Sequence, residues 1–348
     1  PRPGRVSDAN LFAQQAANRR RSVWLVAGFL LFFAWVGFGG DYALYLLTAD
    51  APPGAYRHTL PFIGLLVTAA ASALCYFAWK TGPRRVLLAT GAWEVVTPAS
   101  PAQIQLANVA EEMAVAAGLP KPTVWVVPDH DLNAFATGHD PRHASIAVTE
   151  GLLAALDRDE LQGVVAHEMA HIQNDDVKLM TLLAGMLGAI ALLSDALGRY
   201  LRLGGRVGGA SRGGGGRGGK GGNPLGAVLL VLWLVTLMIA PVVSRLLAMA
   251  VSRKREYLAD ATAAQFTRHP EALARALEKL DAAAGATRSI AQGAAHLCIV
   301  DPAERRISDR EGIVGDVFAS HPPIRLRVAR LRAMAFQQAK REAGAAPA

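Results

Sequence analysis

Two histidines and a glutamate stand in "LQGVVAHEMAHIQNDD", residues 161–176, inside a run otherwise rich in Val and Ala. A helix needs no imidazole there for its own stability, so the question is what these groups can hold. At i and i+4, His167 and His171 lie about 40° apart around a helix and one turn apart along it. Their ring nitrogens can therefore reach one ion. Glu168 is rotated by about 100° from His167, which sets it beside such an ion rather than on it. A base at that place can accept a proton from a water activated there. Two imidazoles are half of a tetrahedral site, and a catalytic zinc wants a third protein ligand and one open position.

The missing donor is found in "SRKREYLADATAAQF", residues 252–266. Glu256 and Asp260 stand at i and i+4 and share one helical face. Glu256 can complete a His-His-Glu set. Asp260 can accept a hydrogen bond from the second ring nitrogen of a metal-bound histidine and fix its tautomer. Taken alone, an acidic pair beside Arg253, Lys254 and Arg255 reads as an exposed, salt-bridged turn. Its pairing with the histidines is what gives it chemistry.

These residues must be positioned by a folded domain, and the sequence from Arg85 onward is patterned like one. "SPAQIQLANVAEEMAVAAG" reads as a helix with Ser100 as its N-cap, Pro101 in the first turn and Gly118 just past the end. "TVWVV" is a short strand. "NAFATG" and "ASIAVT" read as two more, joined by the polar turn "HDPRH". Thr149 caps the short helix "TEGLLAAL", and Asp157 with Glu160 three residues on has capping-box spacing ahead of the histidines. Helix, strands and helix in that order resemble the upper half of a zincin, an α+β arrangement. His130, His139 and His143 fall on loops and read as solvent-exposed rather than as ligands. Asn174 and Asp176 close the histidine helix and read as structural.

Hydrophobic residues make up 52% of the 348 and charged ones 18%, more apolar than most soluble proteins. The excess sits in four blocks. The first, Val23 to about Leu47, follows Arg19, Arg20 and Arg21. It is too long for a signal peptide and reads as a retained anchor. The second, "LPFIGLLVTAAASALCYFAW", matches one bilayer crossing and is followed by Lys80, Arg84 and Arg85. The positive-inside rule places the N-terminus and everything from Lys80 onward in the cytoplasm. Blocks three (177–197) and four (225–251) are long enough to cross, yet the loop between them, "LGGRVGGASRGGGGRGGKGGN", is basic, which favours a hydrophobic hairpin that does not cross. Length tips the reading toward spanning. Either way, the residues before block three and after block four share one side. The formal charge of +8 lies mainly beside these blocks and suits lipid headgroups. Basic stripes with interleaved aromatics are missing, so nucleic acid is not expected as a partner. Cys75 and Cys298 are too few and too differently placed for a disulfide framework.

"HEMAHIQNDD", "EYLAD", the upstream "NAFATG" and the late "VFASHPPIRLRVARL" occur together in an order that resembles the HtpX-type membrane zinc metalloproteases, relatives of the CAAX prenyl-protease. The resemblance runs from Arg19 to Leu331, and the long Gly/Arg loop departs from it. It implies one zinc per chain, held by His167, His171 and Glu256, with Glu168 as the general base. "NAFATG" would be an edge strand on which Asn133 and Ala134 hold an extended peptide. His321 would hydrogen-bond the oxyanion of the tetrahedral intermediate, or simply make a pre-proline turn. Arg327 would orient Glu256, bind substrate, or sit among the basic residues of a surface helix.

The expected architecture is α+β and mainly helical. It comprises a cytoplasmic segment (1–22), a transmembrane hairpin (23–80), a zincin-type domain in two parts (81–176 and 253–335) with a small sheet, two hydrophobic helices between the parts (177–252) and a flexible tail (336–348). The expected function is a membrane-embedded zinc endopeptidase acting on unfolded or damaged membrane proteins, with self-cleavage among its reactions. The competing readings are a CAAX-type processing protease and a catalytically silent membrane scaffold.

Overall fold

The computed structural model describes residues 8–49, 52–181, 228–229, 231–236, 239, 253–283, 298–299 and 322–345. Most of the third and fourth apolar blocks, the Gly/Arg loop and His321 lie outside the described residues. The described residues from Val23 to Phe77 belong to one compact unit, and those from Ala78 to Thr181, with those after 252, to another.

In the first unit, helix α1 (Asp8–Thr48) turns back into α2 (Phe62–Ala89). Ser22–Leu46 and Phe62–Ala89, 25 and 28 residues, are long and apolar enough to cross a membrane. Val23, Leu31, Leu65 and Leu66 are largely exposed, as lipid-facing side chains are. The two helices approach closely at glycines, since a Cβ on Gly37 would lie 2.8 Å from the Gly64 Cα. Beyond that crossing, the buried Asp41 carboxylate accepts the Ile63 and Gly64 N–H groups at 3.1 and 2.6 Å and pairs with His58 Nε2 at 2.7 Å. It thereby satisfies amides at the start of α2 that have no partner within the helix.

The second unit is a four-stranded sheet covered by helices. Strands β1 (Trp93–Glu94), β2 (Thr123–Val127), β3 (Ala134–Thr137) and β4 (Ser145–Thr149) lie in the order β1-β2-β4-β3. β2 pairs with β4 in parallel, with Val126 opposite Val148, and β3 pairs antiparallel to β4 on the outside, with Ala136 opposite Ile146. Helix α3 (Pro101–Ala117) is capped by the Ser100 side chain on the Gln103 N–H and stopped by Gly118 in the left-handed conformation. Thr149 ends β4 and caps α4 (Glu150–Ala155) through the Leu152 N–H. Helix α5 (Arg158–Gln173) carries the full capping box of Asp157 and Glu160. After it come α6 (Arg253–Thr267), α7 (Pro270–Ala282) and α8 (Ile324–Ala345), so the segment after 335, read as a tail, continues a helix.

Helix α5 is the centre of this unit and packs on α3, α6, α7 and β3. That is why it is apolar on nearly every side: Leu161, Val164, Val165, Ala166, Met169 and Ala170 are all buried. The alanines let neighbouring backbones come close. Gly163 takes this furthest, because a Cβ there would stand 3.0 Å from both the backbone N and Cα of Leu273 in α7. Alanine in a helix interior ordinarily stabilises by about 0.5–1 kcal/mol over glycine. Overpacking of this kind costs about 1–3 kcal/mol and outweighs that gain. Gly163→Ala is expected to lower the thermal unfolding midpoint of the detergent-solubilised protein; a raised midpoint would contradict the packing described here.

Candidate metal centre

Three nitrogen and oxygen donors converge where α5 meets α6. His167 Nε2 lies 3.2 Å from His171 Nε2. Glu256 places one carboxylate oxygen 3.5 Å from His167 Nε2 and the other 3.5 Å from His171 Nε2. A tetrahedral ion bonded at 2.0–2.1 Å requires donors separated by about 3.3–3.4 Å. The nitrogen–nitrogen and nearest nitrogen–oxygen separations are already close to that, each imidazole facing its own oxygen of Glu256. The i, i+4 spacing in α5 and the first turn of α6 produce this arrangement between them.

Each imidazole is held from behind by a carboxylate. The Nδ1–H of His167 donates to Asp260 Oδ1 at 3.0 Å, and that of His171 donates to Asp176 Oδ2 at 3.1 Å. Both carboxylates are clamped in turn. Arg327 from α8 forks onto Asp260 with Nε at 2.9 Å and Nη2 at 2.8 Å. Arg255 reaches Asp176 Oδ1 at 3.5 Å. These pairs fix the tautomer that turns Nε2 of each ring toward the common point.

Burial makes the charges consequential. Glu168, Asp176, Glu256, Asp260, Arg255 and Arg327 are each 5% exposed or less. Four carboxylates face two guanidiniums, a surplus of two negative charges that a dication balances. Burial alone would push the His167 imidazole down, but its hydrogen bonds to Asp260 and Glu256 prevail and lift it to about 9. For Asp260 burial pulls upward and is outweighed by Arg327 and His167, so its carboxyl is held below the usual range. Arg327 stays charged, since Asp260 and Glu256 overcome its desolvation. Burial raises the Glu168 carboxyl above its ordinary value, against the pull of the two histidines. Its Oε1 is buried with no hydrogen-bond partner. That orphaned acceptor borders an open recess shared with Ala136, His171, Met180, Arg255 and Glu256. An oxygen kept ready for a water beside a three-donor triangle fits a catalytic metal site.

Of the residues singled out in the sequence, His167, Glu168, His171, Glu256, Asp260 and Arg327 come together here. Arg327 is fully buried on Asp260 rather than set on a surface helix. Asn133 is buried, and its Oδ1 accepts the N–H of Ala134. The Ala134 carbonyl accepts the N–H of Ile299 at 2.9 Å. These outward groups of the strand are therefore engaged within the chain. Ala136, two residues on and facing the same edge, donates its N–H to the Glu168 carboxylate and lines the recess. Sequence reasoning missed Ala136, Asp176 and Arg255. Asp176 sits past the end of α5, and only the left-handed Asp175, at φ 57°, returns its carboxylate to His171.

Two outcomes follow. Asp176→Asn is expected to weaken metal affinity by about 10–100-fold, read by competition with a chromogenic chelator, and unchanged affinity would remove Asp176 from the centre. In the metal-free protein His167 holds a proton up to about pH 9, and a ligand must shed it. Metal uptake at pH 7 should therefore release a proton, and apparent affinity should rise with pH until about 9. Calorimetry in buffers of differing ionisation enthalpy checks this; uptake with no proton released would contradict it.

The family model described as peptidase family M48 matches residues 101–335. A protease HtpX homolog of Caldanaerobacter subterraneus subsp. tengcongensis is 43% identical over 260 residues, covering 74% of this chain and 80% of that protein. A protease HtpX homolog of Streptococcus gordonii is 35% identical over 324 residues, 93% of this chain and 100% of its own. The crystal structure of S. mikatae Ste24p aligns with a TM-score of 0.46 at 17% identity, over 93% of this chain and 67% of that one. With the M48 model covering strands β2 to β4 and the donor-bearing helices, and with relatives matched over 80% and 100% of their own length, the chain belongs to peptidase family M48 and is a membrane metalloprotease.

Proposed function

We propose that this protein is a zinc endopeptidase, one catalytic zinc per chain, that cleaves misfolded or damaged membrane proteins at the cytoplasmic face of the bilayer. The observation that carries the reading is the His167–His171–Glu256 triangle, of tetrahedral zinc dimensions, beside the unpartnered Glu168 oxygen. When bound, zinc supplies Lewis acidity to a water and to the scissile carbonyl oxygen. Glu168 takes the proton of the attacking water and delivers it to the leaving amine. Its raised pKa brings it nearer the working pH, where such transfers are efficient. Asp260 and Asp176 keep the two imidazoles in register throughout. Arg327 holds Asp260, and its Nη1 lies 3.4 Å from Glu256.

Substrate specificity follows from the strand edge. An extended peptide laid along β3 would meet the main chain of Ala136 beside Glu168, while Asn133 and Ala134 keep the strand in shape. Main-chain pairing reads an extended backbone rather than a side-chain sequence. The reacting groups are nearly closed to solvent, so folded proteins are excluded and unfolded segments, the protein's own among them, are admitted. His321 is assigned to the oxyanion. Arginines 19–21 before the first span and Lys80, Arg84 and Arg85 in the C-terminal turns of α2 support a cytoplasmic catalytic domain. No observation among the described residues favours the CAAX-processing or scaffold readings.

The test uses detergent-purified protein stripped with chelator, then resupplied with zinc and an unfolded model protein. Cleavage is expected to return with zinc. Glu168→Ala should bind zinc normally and lose turnover, whereas Glu256→Ala should lose the catalytic zinc. Normal cleavage by Glu168→Ala would exclude it as the base, and full zinc content in Glu256→Ala would place the third ligand elsewhere.

A further inference from the structure

The turn that joins β3 to β4 carries a second set of metal donors. After Gly138 the chain makes a short 3-10 turn, Pro141–His143, with Asp140 as its cap. Asp140 Oδ1 accepts the N–H groups of Arg142 and His143 at 2.8 and 3.0 Å. That use is ordinary turn chemistry. The His143 ring straddles both carboxylate oxygens, its Nδ1 lying 2.9 Å from Oδ1 as well, and Oδ2 has a further neighbour. His143 Nδ1 lies 2.9 Å from Oδ2, and His139 Nε2 approaches the same oxygen to 3.5 Å. The two rings are stacked, with centroids 4.6 Å apart and planes 17° from parallel. A capping aspartate needs neither histidine, and the second arrives although the first already occupies the oxygen.

We propose that His139, Asp140 and His143 form a surface site for a borderline divalent cation, Zn2+, Ni2+ or Cu2+, distinct from the centre on α5. One donor atom from each of the three lies within 4.8 Å of the others. Bonds of 2.0–2.1 Å ask for donor separations of about 3.3–3.4 Å; His139 Nε2 already stands at about that distance from the carboxylate, and binding one ion requires the stacked rings to turn so that both nitrogens point at it. Two imidazoles and one carboxylate suit these ions over Mg2+ and Ca2+, which prefer oxygen. The backbone presets the arrangement. Gly138 has φ 159°, and a Cβ on it would press within 2.9 Å of the His143 carbonyl oxygen and of the Ala144 Cα. The turn is packed against itself and cannot spread. Trp79 backs His139 edge-on at a centroid distance of 5.4 Å, which limits the ring's freedom. The His143 and Asp140 side chains are 62% and 42% exposed, so water fills the remaining positions. Lys178 borders the same recess as Asp140 and tempers the affinity for a dication. The site is therefore weaker than the buried one. Read from the sequence these histidines were solvent-exposed loop residues; the fold brings their nitrogens to one oxygen.

The experiment counts metal on the full-length chain in detergent, after chelator stripping and equilibration with excess buffered zinc. The wild type is expected to hold two zincs. His139→Ala/His143→Ala should hold one and keep wild-type cleavage at limiting zinc, which establishes that it folds. Glu256→Ala should also hold one, on the surface site, so this count is independent of whether the protein proves to be a protease. In the wild type Cu2+ should quench part of the tryptophan fluorescence, and Trp79→Phe should remove that part. A single zinc on the wild type, two on the double-histidine variant, or quenching unaltered by Trp79→Phe would each overturn the proposal.

Discussion

A guanidinium and a carboxylate closed off from water hold the catalytic half of this protein in one piece. Arg327 is fully buried and forks onto Asp260, which is 3% exposed. Such pairs persist only where geometry is good and the leftover donors are satisfied. Arg327 meets that condition by donating to the Ile299 carbonyl at 3.1 Å as well. Asp260 spends its remaining capacity on His167. The pair thus ties α8, α6, α5 and the segment at Ile299, four stretches far apart in sequence, to the nitrogen that would face a metal. Removing either partner would strand the other as a buried charge, a loss of about 3–5 kcal/mol.

The same electrostatics explain why the centre suits a metal. Carboxylates outnumber guanidiniums by two among these buried groups, and the hydrogen bonds of His167 to Asp260 and Glu256 outweigh its burial, so the metal-free protein retains a proton on that ring. A dication answers that imbalance at the point where three donors already stand at bonding geometry. Glu168 stands outside this network of ion pairs, and its Oε1 is buried with no hydrogen-bond partner. The two supporting aspartates differ in their anchoring. Asp260 is held by a fork from a distant helix, and Asp176 by Arg255, which adjoins the candidate ligand Glu256 in sequence. Each ring is therefore steadied by a contact that also constrains the third ligand.

The local parts of this architecture were legible in the sequence because their signals are local. Ser100, Thr149 and the Asp157/Glu160 box cap the helices that their spacing announces, and the i, i+4 pairs in α5 and α6 face each other. Sheet order was not legible, since the parallel pairing of β2 with β4 and the outside place of β3 are settled by packing on α5. The partners of Asp176 and Arg255 were not legible for a related reason. Asp176, read as structural at a helix end, gives no local sign that it reaches His171, and Arg255, in a basic run, reads as exposed until tertiary structure buries it. Asn133 has the polarity expected of a substrate contact, yet its side chain serves its own strand. The oxyanion role assigned to His321 lies outside the described residues.

The central claim is that His167, His171 and Glu256 bind one zinc together. X-ray absorption spectroscopy of protein loaded with a single equivalent of zinc tests it most directly. The account predicts two imidazole nitrogens and carboxylate oxygen at about 2.0–2.2 Å, with the carboxylate contribution lost in Glu256→Gln. A shell of sulfur or of histidine alone, or a spectrum unchanged by that substitution, would contradict it.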